Sequence, residues 1–282
     1  MNSTHHCSAP PRMLFTAIRL TLLSLFFFTY FIRNTQKLIR PSPVTNTTTY
    51  SPVTNTTTYQ TCKSKGTTQE FRPYFQFGDQ GRYSHHEYLN NETDSVVIEV
   101  GGFTGVDSQK LLDIYPTIAL HIYEPHPSYF GQLVDRFIKD SRVTVYPFGV
   151  DGGYKIAFLK DSTDGSSVYD TKAVHQKALG IKIVLRDAVQ EFKSLVALYD
   201  KPISLLQVNC EGCEYGLLDA IVDDEFAVGL IDNIQVQFHT MKDDGEGLHR
   251  YCRIQSLLSR THQQSFGFHY VWENWRRRKV SN

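Results

Sequence analysis

Residues 95–105 read SVVIEVGGFTG and carry the clearest signal for the architecture of this chain. Ser95–Val100 is a short run rich in β-branched residues, and it leads straight into the glycine-rich segment 101–105. Continuous apolar runs of this length are typical of strands buried on both faces of a parallel sheet. The segment therefore predicts a buried strand that ends in a tight turn.

Strands and helices are predicted to alternate along the rest of the chain. Further strands are predicted at Ile118–Tyr123, Val143–Phe148, Ile203–Val208, Ile234–Phe238 and Phe266–Val271. Helices are predicted at Ser108–Tyr115, around Tyr129–Lys139, and at Tyr215–Ile221 and Gly247–Arg260. Such alternation is typical of an α/β fold with a doubly wound, mostly parallel Rossmann-like sheet.

Polar groups stand at the carboxyl ends of these strands, where doubly wound sheets bind their ligands. They are Glu99 with the following glycines, Glu124, Gly149–Asp151, Asn209–Glu214 and Gln237–His239. Each also has a purely structural interpretation, because carboxylates often cap helices and histidines are often satisfied at strand ends. Their coincidence at one edge of the sheet favours a binding site.

The spacing of the glycines and acids restricts the class of ligand that the site can bind. A dinucleotide fingerprint needs G-x-G-x-x-G, and Val100 stands where its first glycine would be, which disfavours a nicotinamide enzyme. The observed pattern is Glu99-x-Gly101-x-x-x-Gly105, followed by Glu124, 25 residues after Glu99. Two carboxylates suit a ligand with a positive end and a ribose diol. S-adenosylmethionine has both features and no phosphate.

Several segments resemble the FkbM-type methyltransferases. They are VVIEVGGFTG (96–105), HIYEPHP (121–127), SLLQVNCEGCEYGLLDAI (204–221), IQVQFHTM (234–241) and THQQSFGFHYVWENW (261–275), of which the last looks like a C-terminal strand pair. The resemblance implies a class I methyltransferase fold, S-adenosylmethionine as cofactor and methylation of a hydroxyl oxygen. It carries over Glu99, Gly101, Gly105 and Glu124 as cofactor-binding residues, with Asp151 near the adenine.

The catalytic base is expected at the ends of the strands at 203–208 and 234–238. His239 is the first candidate because an ordinary histidine pKa of about 6.5 suits proton acceptance. Glu211 is the second, although Glu211 and Glu214 are also interpretable as carboxylates beside a helix N-terminus. Asn209 stands where the family has Asp, and it cannot act as a base or metal ligand. A catalytically inactive lumenal binding protein with the same fold is therefore the alternative function, and no metal is predicted.

The expected partner is a glycan or another hydroxyl-bearing acceptor. Trp272 and Trp275, with Glu273 between them, are candidates to border the acceptor because aromatic faces stack on sugar rings, although core positions are their commoner use. The chain has 29 Lys plus Arg against 29 Asp plus Glu, which excludes binding of nucleic acid through bulk charge. The basic run at 276–279 could attract an acidic glycan, but a solvated tail is the commoner explanation of such a run.

A largely apolar segment at Met13–Ile32 carries a single charge, Arg19. At about 1.5 Å per residue it spans a bilayer of about 30 Å as one helix. Thr29–Asn34 offers no small-x-small cleavage site, which favours an uncleaved signal anchor over a cleaved signal peptide.

This anchor organises the predicted domains: a cytosolic tail at 1–12, the anchor at 13–32, a Thr-rich stalk at 33–61 and a methyltransferase-like domain at 62–282. The stalk holds two copies of SPVTNTTTY, a composition typical of O-glycosylated linkers. Sequons at Asn46, Asn55 and Asn91 favour a lumenal C-terminal part, although sequons also arise by chance in Thr-rich sequence. We expect a single-pass membrane protein of the Golgi.

Four cysteines fall in the predicted lumenal part, and Cys7 falls in the cytosolic tail. Cys210-x-x-Cys213 alone does not predict a zinc site, because no second cysteine pair lies at ligand spacing. It does not predict a thioredoxin-like motif either, because it does not open a helix after an N-terminal strand. A disulfide that involves Cys62 or Cys252 is favoured.

Overall fold

The structure is a computed structural model that describes residues 56–91, 93–159, 180–241 and 245–279. The predicted tail, the anchor and most of the stalk lie outside the described residues. Within these ranges, no helix is both long enough and apolar enough to cross a membrane. The described ranges cover most of the predicted globular domain and the last residues of the predicted stalk.

A seven-stranded sheet forms the centre of the domain. Its strands are β1 (Ser95–Val100), β2 (Ile118–Tyr123), β3 (Val143–Tyr146), β7 (Ile203–Val208), β8 (Asn233–Val236), β9 (His262–Phe268) and β10 (Trp272–Arg277). The strand order is β3-β2-β1-β7-β8-β10-β9. The first five strands in this order are parallel, and the β9–β10 hairpin adds two antiparallel neighbours. The predicted doubly wound, mostly parallel sheet is confirmed.

Helices cover both faces of this sheet. They are α1 (Thr56–Lys65), α2 (Phe71–Ser84), α3 (Val106–Ile114), α4 (Pro127–Phe137), α5 (Ala188–Tyr199), α6 (Cys213–Asp223), α7 (Glu225–Val228) and α8 (Glu246–Thr261), with a 3₁₀ helix at Glu87–Asn90. Side chains of β1 alternate between two cores: Val96, Ile98 and Val100 belong to the core of α5, α6 and α8, and Val97 belongs to that of α3 and α4. Each of these fully buried side chains contributes about 1.5–3 kcal/mol. The position of β1 between both cores fixes the turn that follows it.

A second, three-stranded sheet was not predicted. It consists of β4 (Gly149–Asp151), β5 (Lys155–Leu159) and β6 (Ile181–Asp187), in the order β4-β6-β5. The predicted strand at Val143–Phe148 extended two residues too far, because the chain leaves the main sheet after Tyr146 and enters the small one at Gly149. Leu159, Ile183 and Leu185 form the core of this small sheet.

The predicted strand at Phe266–Val271 extends three residues too far, whereas the strand pair that the resemblance implies at 261–275 is present. β9 ends at Phe268 and β10 begins at Trp272, so residues 269–271 form the turn of a hairpin. Tyr270 has a φ of 54° and stacks on Tyr251, with ring centroids 4.2 Å apart. Aromatic composition indicated a strand here, but packing on Tyr251 holds these residues in a turn.

Helix α1 begins inside the segment predicted to be an unfolded stalk. A disulfide joins Cys62 of this helix to Cys252 of α8, and the Tyr59 hydroxyl lies 2.7 Å from His249 Nδ1. A helix of this length is marginal in isolation, so these contacts account for its formation. The favoured disulfide involving Cys62 or Cys252 is confirmed.

Candidate active site

The strand order reverses between β1 and β7, which leaves a crevice at the carboxyl ends of these two strands. A cavity of about 330 Å³ lies at this point. Its walls come from the ends of β1, β2 and β7 and from the small sheet. The cavity therefore occupies the place where the sequence predicted a ligand.

Gly101 makes the turn after β1 possible. Its φ is 88°, and a Cβ atom there would lie 2.0 Å from the main-chain oxygen of Asn209. Its N–H donates to the carbonyl of Tyr123 at 3.0 Å. The backbone at the end of β1 thus lies directly against the end of β7, and a side chain would separate them. Gly105, with a φ of 77°, starts α3 and does not line the cavity.

Glu124 supplies a buried carboxylate to the cavity wall. Its side chain accepts the N–H of Phe103 at 2.9 Å and the N–H of His126 at 2.8 Å, one on each oxygen. Burial raises the pKa of Glu124, and the two N–H donors partly offset this. The two bonds hold the carboxylate between the glycine turn and the start of α4, with lone pairs left to accept from a ligand.

Two buried polar atoms of the cavity lining have no hydrogen-bond partner: the Tyr123 hydroxyl and Asn209 Oδ1. Tyr123 stacks on Tyr146 at a centroid distance of 4.6 Å. An unpaired buried polar atom costs about 1–3 kcal/mol. One donor and one acceptor at the same cavity therefore indicate a polar ligand that pairs with both.

His239 lies between two carboxylates. Its Nδ1 is 3.1 Å from Glu214 Oε1 and its Nε2 is 3.3 Å from Glu211 Oε1. Burial alone lowers the pKa of His239, but the hydrogen bonds and charges of Glu211 and Glu214 outweigh burial and raise it to about 10. His239 is therefore protonated at neutral pH and donates from both ring nitrogens.

These contacts reverse the predicted order of the two candidate bases. A protonated imidazole has no lone pair for a substrate proton, and His239 does not line the cavity. Glu211 does line it, and its side chain is 43% exposed. Hydrogen bonding to His239 lowers the pKa of Glu211 and keeps it ionised.

Glu214 fixes the geometry of this group. Its buried carboxylate accepts the N–H groups of His239 and Gly212, each at 2.8 Å. It lies in the first turn of α6, as the helix-terminus interpretation expected. Glu214 is therefore both a carboxylate at the N-terminus of α6 and a partner of His239.

Cys210 and Cys213 form a disulfide around Glu211. The enclosed residues have left-handed backbones, with φ of 55° at Glu211 and 108° at Gly212. A left-handed conformation costs about 1–2 kcal/mol for a residue with a side chain. The short ring holds Glu211 in this conformation. Within the described residues, no cluster of three or more His, Cys, Asp or Glu could hold a metal ion.

Like Gly105, the predicted cofactor residues Glu99 and Asp151 do not line the cavity. Glu99 is buried beneath it, where Ser108 Oγ donates to one oxygen and Gln207 Nε2 donates to the other at 3.1 Å. Burial raises the pKa of Glu99 to about 8. Asp151 pairs with Lys155 at 2.7 Å. Both acids are therefore occupied by contacts within the protein.

The apolar walls of the cavity were not predicted. Phe103 and Tyr129 pack together at a centroid distance of 4.4 Å on one side, and the small sheet contributes Leu159, Ile183 and Leu185 on the other. No sequence pattern predicted the small sheet, so its part of the cavity wall could not be predicted either. The position of Phe103 inside the glycine segment could have indicated an aromatic wall.

No family model matches the chain, and no curated protein is similar to it in sequence. The resemblance to the FkbM-type family is thus not confirmed. The structure is similar to a putative rRNA-methylase from Clostridium thermocellum (TM-score 0.41, 10% identity, 70% of this chain and 96% of that chain). It is also similar to Aeropyrum pernix fibrillarin with natively bound S-adenosyl-L-methionine (TM-score 0.38, 10% identity, 68% and 73%). A third is the N-methyltransferase NodS of Bradyrhizobium japonicum WM9 in complex with S-adenosyl-l-homocysteine (TM-score 0.36, 12% identity, 79% and 99%).

Proposed function

We propose that this chain is an S-adenosylmethionine-dependent methyltransferase that methylates a hydroxyl oxygen of a glycan in the Golgi lumen. The observation that carries the proposal is the cavity at the reversal of strand order. It combines the Gly101 turn, the buried carboxylate of Glu124 and the unpaired Asn209 Oδ1. Such a combination suits a ligand with a diol and a cationic end better than it suits a phosphate.

The residues of the cavity fit the groups of this cofactor one by one. Glu124 would accept from the ribose hydroxyls, and Asn209 Oδ1 would accept from the ammonium group. The hydroxyl of Tyr123 would donate to a ring nitrogen or carboxylate. Leu159 and Leu185 offer an apolar surface for a flat base. This assignment satisfies both orphaned atoms of the wall.

When bound, S-adenosylmethionine supplies a methyl group on a positively charged sulfur. The chain has to align the acceptor hydroxyl and take its proton, and alignment provides most of the rate. Glu211, at the cavity wall, takes the proton. His239 acts through Glu211: it donates to that carboxylate and fixes its direction, while Glu214 holds the imidazole from behind. A positioned base contributes about 10²–10⁴ in rate.

Several features support a lumenal location. Two disulfides are typical of proteins from oxidising compartments. Asn91 of the third sequon is exposed at the end of the 3₁₀ helix and is open to glycosylation. The apolar segment at 13–32 supplies the anchor.

Ligand-dependent melting of the full-length chain in detergent micelles tests the cofactor. S-adenosylhomocysteine at a hundred times its Kd should raise the free energy of unfolding by about 2.7 kcal/mol. For a domain of this size the corresponding rise in Tm is about 5–10 °C. No shift with either S-adenosylmethionine or S-adenosylhomocysteine would refute the methyltransferase proposal.

Methyl transfer separates the enzyme from the inactive binding protein. Asn209, in place of the acid of the resembling family, favours the latter. The enzyme should move labelled methyl from S-adenosylmethionine to a hydroxyl of a neutral oligosaccharide. A melting shift without any transfer would leave the binding protein as the function.

A further inference from the structure

A second cavity, of about 280 Å³, lies between α1, α8 and the β9–β10 hairpin. Strand register places Glu273 of its wall level with Val100 of the first cavity. Glu273 of its wall pairs with Val236, Val236 pairs with Val208, and Val208 pairs with Val100 of the first cavity. Three strand spacings separate the two walls, which is about 14 Å. A short oligosaccharide is long enough to span this distance.

The lining of this second cavity is rich in uncharged hydrogen-bonding groups. α1 contributes the hydroxyl-bearing Thr58 and Thr61. Gln255 of α8 and Gln264 of β9 contribute amide oxygens as acceptors, because the amides of both side chains donate to Glu273. Trp275 adds aromatic surface. Hydroxyl and amide groups beside aromatic rings are the chemistry that recognises a polyhydroxyl ligand.

The charged groups of the lining are already paired. Glu273 is buried, and it accepts from Tyr251 Oη and Gln255 Nε2 on one oxygen and from Trp275 Nε1 on the other. Burial raises the pKa of Glu273 to about 7, which weakens its charge further. Lys65 pairs with Glu70 at 3.2 Å. These pairings favour an uncharged ligand over an ion.

Covalent and backbone contacts preform the cavity. The Cys62–Cys252 disulfide ties α1 to α8 beside it. Glu70 donates its N–H to the carbonyl of His269 at 3.0 Å and accepts the N–H of His269 on its carboxylate at 2.9 Å. The segment that precedes the sheet is thus fixed to the hairpin turn. A preformed site costs little ordering entropy when it binds.

We propose that the second cavity binds one uncharged sugar residue of an oligosaccharide acceptor, while another residue of the same oligosaccharide presents its hydroxyl to Glu211. The part of this proposal that concerns methylation at Glu211 rests on the proposed function. Sugar binding at the second cavity does not depend on the cofactor and is measured separately.

Saturation-transfer difference NMR on the full-length chain in detergent micelles tests the sugar site. The probes are the methyl glycosides of glucose, galactose, mannose and N-acetylglucosamine. At least one should bind, and Gln264→Leu should weaken it about fivefold to tenfold, the loss expected for one neutral hydrogen bond. Gln263→Leu is the matched control, because this neighbour is exposed on the opposite face of β9 and does not line the cavity. The Gln263→Leu variant should bind the glycoside as tightly as the unmodified chain does.

A second variant guards against local misfolding of the hairpin. Thr58→Val with Thr61→Val removes two hydroxyls at nearly constant shape, and it should also weaken the glycoside; Thr67→Val, outside the cavity, should not. The proposal is overturned if no glycoside binds, if both cavity variants bind like the unmodified chain, or if the controls weaken binding equally.

Cofactor binding distinguishes failure of this proposal from failure of the proposed function. Glu124→Gln should weaken S-adenosylhomocysteine and leave the glycoside bound. Glycoside binding without any cofactor binding would refute the methyltransferase and keep the sugar site. Where an oligosaccharide is methylated, Gln264→Leu should raise its KM about fivefold to tenfold, with the loss in KM rather than in kcat. An unchanged KM would overturn the link between the two cavities.

Discussion

Replacing the cysteines of the two disulfides should affect stability very differently, because the loops they close differ in length. Cys62 and Cys252 are 190 residues apart, whereas Cys210 and Cys213 are 3 apart. In the chain-entropy description, closing the long loop destabilises the unfolded chain by about 5 kcal/mol and closing the short ring does so by about 2 kcal/mol. The long-range bond should therefore contribute about 3 kcal/mol more.

Urea unfolding of the full-length chain in detergent measures this difference. The variants are Cys62→Ala with Cys252→Ala, and Cys210→Ala with Cys213→Ala. The first should lose about 5 kcal/mol, a third or more of the roughly 5–15 kcal/mol free energy of unfolding of a typical domain. Its m-value should rise because the unfolded chain is no longer cross-linked. Equal losses in the two variants, or a larger loss in the second, would refute the loop-length argument.

The short ring should matter more for the site than for stability. It holds Glu211 at a φ of 55° with its carboxylate on His239. Once Cys210 and Cys213 are alanines, Glu211 can relax, and the pKa of His239 should fall from about 10 towards the ordinary value near 6.5. An NMR titration of the His239 ring measures this. An unchanged His239 pKa would show that the disulfide does not position Glu211.

Further substitutions test the cavity and the His239 ion pair. Gly101→Ala should lower the free energy of unfolding by about 2–5 kcal/mol and abolish cofactor binding, because the φ of Gly101 is 88° and the new Cβ would lie 2.0 Å from the Asn209 oxygen. The control is Gly131→Ala, in open space on a helix, which should raise the free energy of unfolding by about 0.5–1 kcal/mol in the same melting assay. Glu124→Gln should weaken S-adenosylhomocysteine about 10- to 100-fold in calorimetric titration, since it replaces a charged acceptor by an amide. Because the pKa of His239 is raised in the folded chain, its protonated form contributes a few kcal/mol to the free energy of unfolding. This contribution is fully present below about pH 6.5 and is lost as the pH rises towards 10. His239→Gln should remove this slope from urea midpoints measured between pH 6 and pH 10, and an unchanged slope would contradict the ion pair.

The central sheet was predictable because its strands are buried on both faces. Ser95–Val100 and Ile203–Val208 have the predicted bounds, since continuous apolar runs between turn signals leave little choice of structure. The position of the cavity followed from the parallel order of these strands. Glu124 was found for the same reason: it follows a buried strand directly and so reaches the same edge.

The small sheet and the hairpin turn were not predictable from such patterns. β4 has three residues and β6 alternates only weakly, so neither carries a clear period. Their pairing is long-range in sequence, between Gly149 and Leu185 among others. At the hairpin, Tyr270 is an aromatic residue with strand propensity that packing on Tyr251 holds at a positive φ. Tertiary contacts decide such positions.

The role of His239 depends on partners that sequence spacing does not reveal. An isolated histidine at a strand end has an ordinary pKa and is a reasonable base. The fold instead brings Glu211 and Glu214 from the preceding loop and helix to both of its ring nitrogens. Two carboxylates around one imidazole hold its proton, and for this reason the exposed carboxylate of Glu211 is the base that we propose.

Glu214 and Glu211 consequently differ in what their substitution can reveal. Glu214 binds the backbone of both Gly212 and His239, so its loss should disturb the loop and the ion pair together. Glu211 is partly exposed and contacts the group only through the His239 ring. Glu211→Gln should therefore leave the melting shift with S-adenosylhomocysteine intact and lower methyl transfer by about 10²–10⁴. Retained transfer in this variant would remove Glu211 from the role of base while leaving the cofactor site in place.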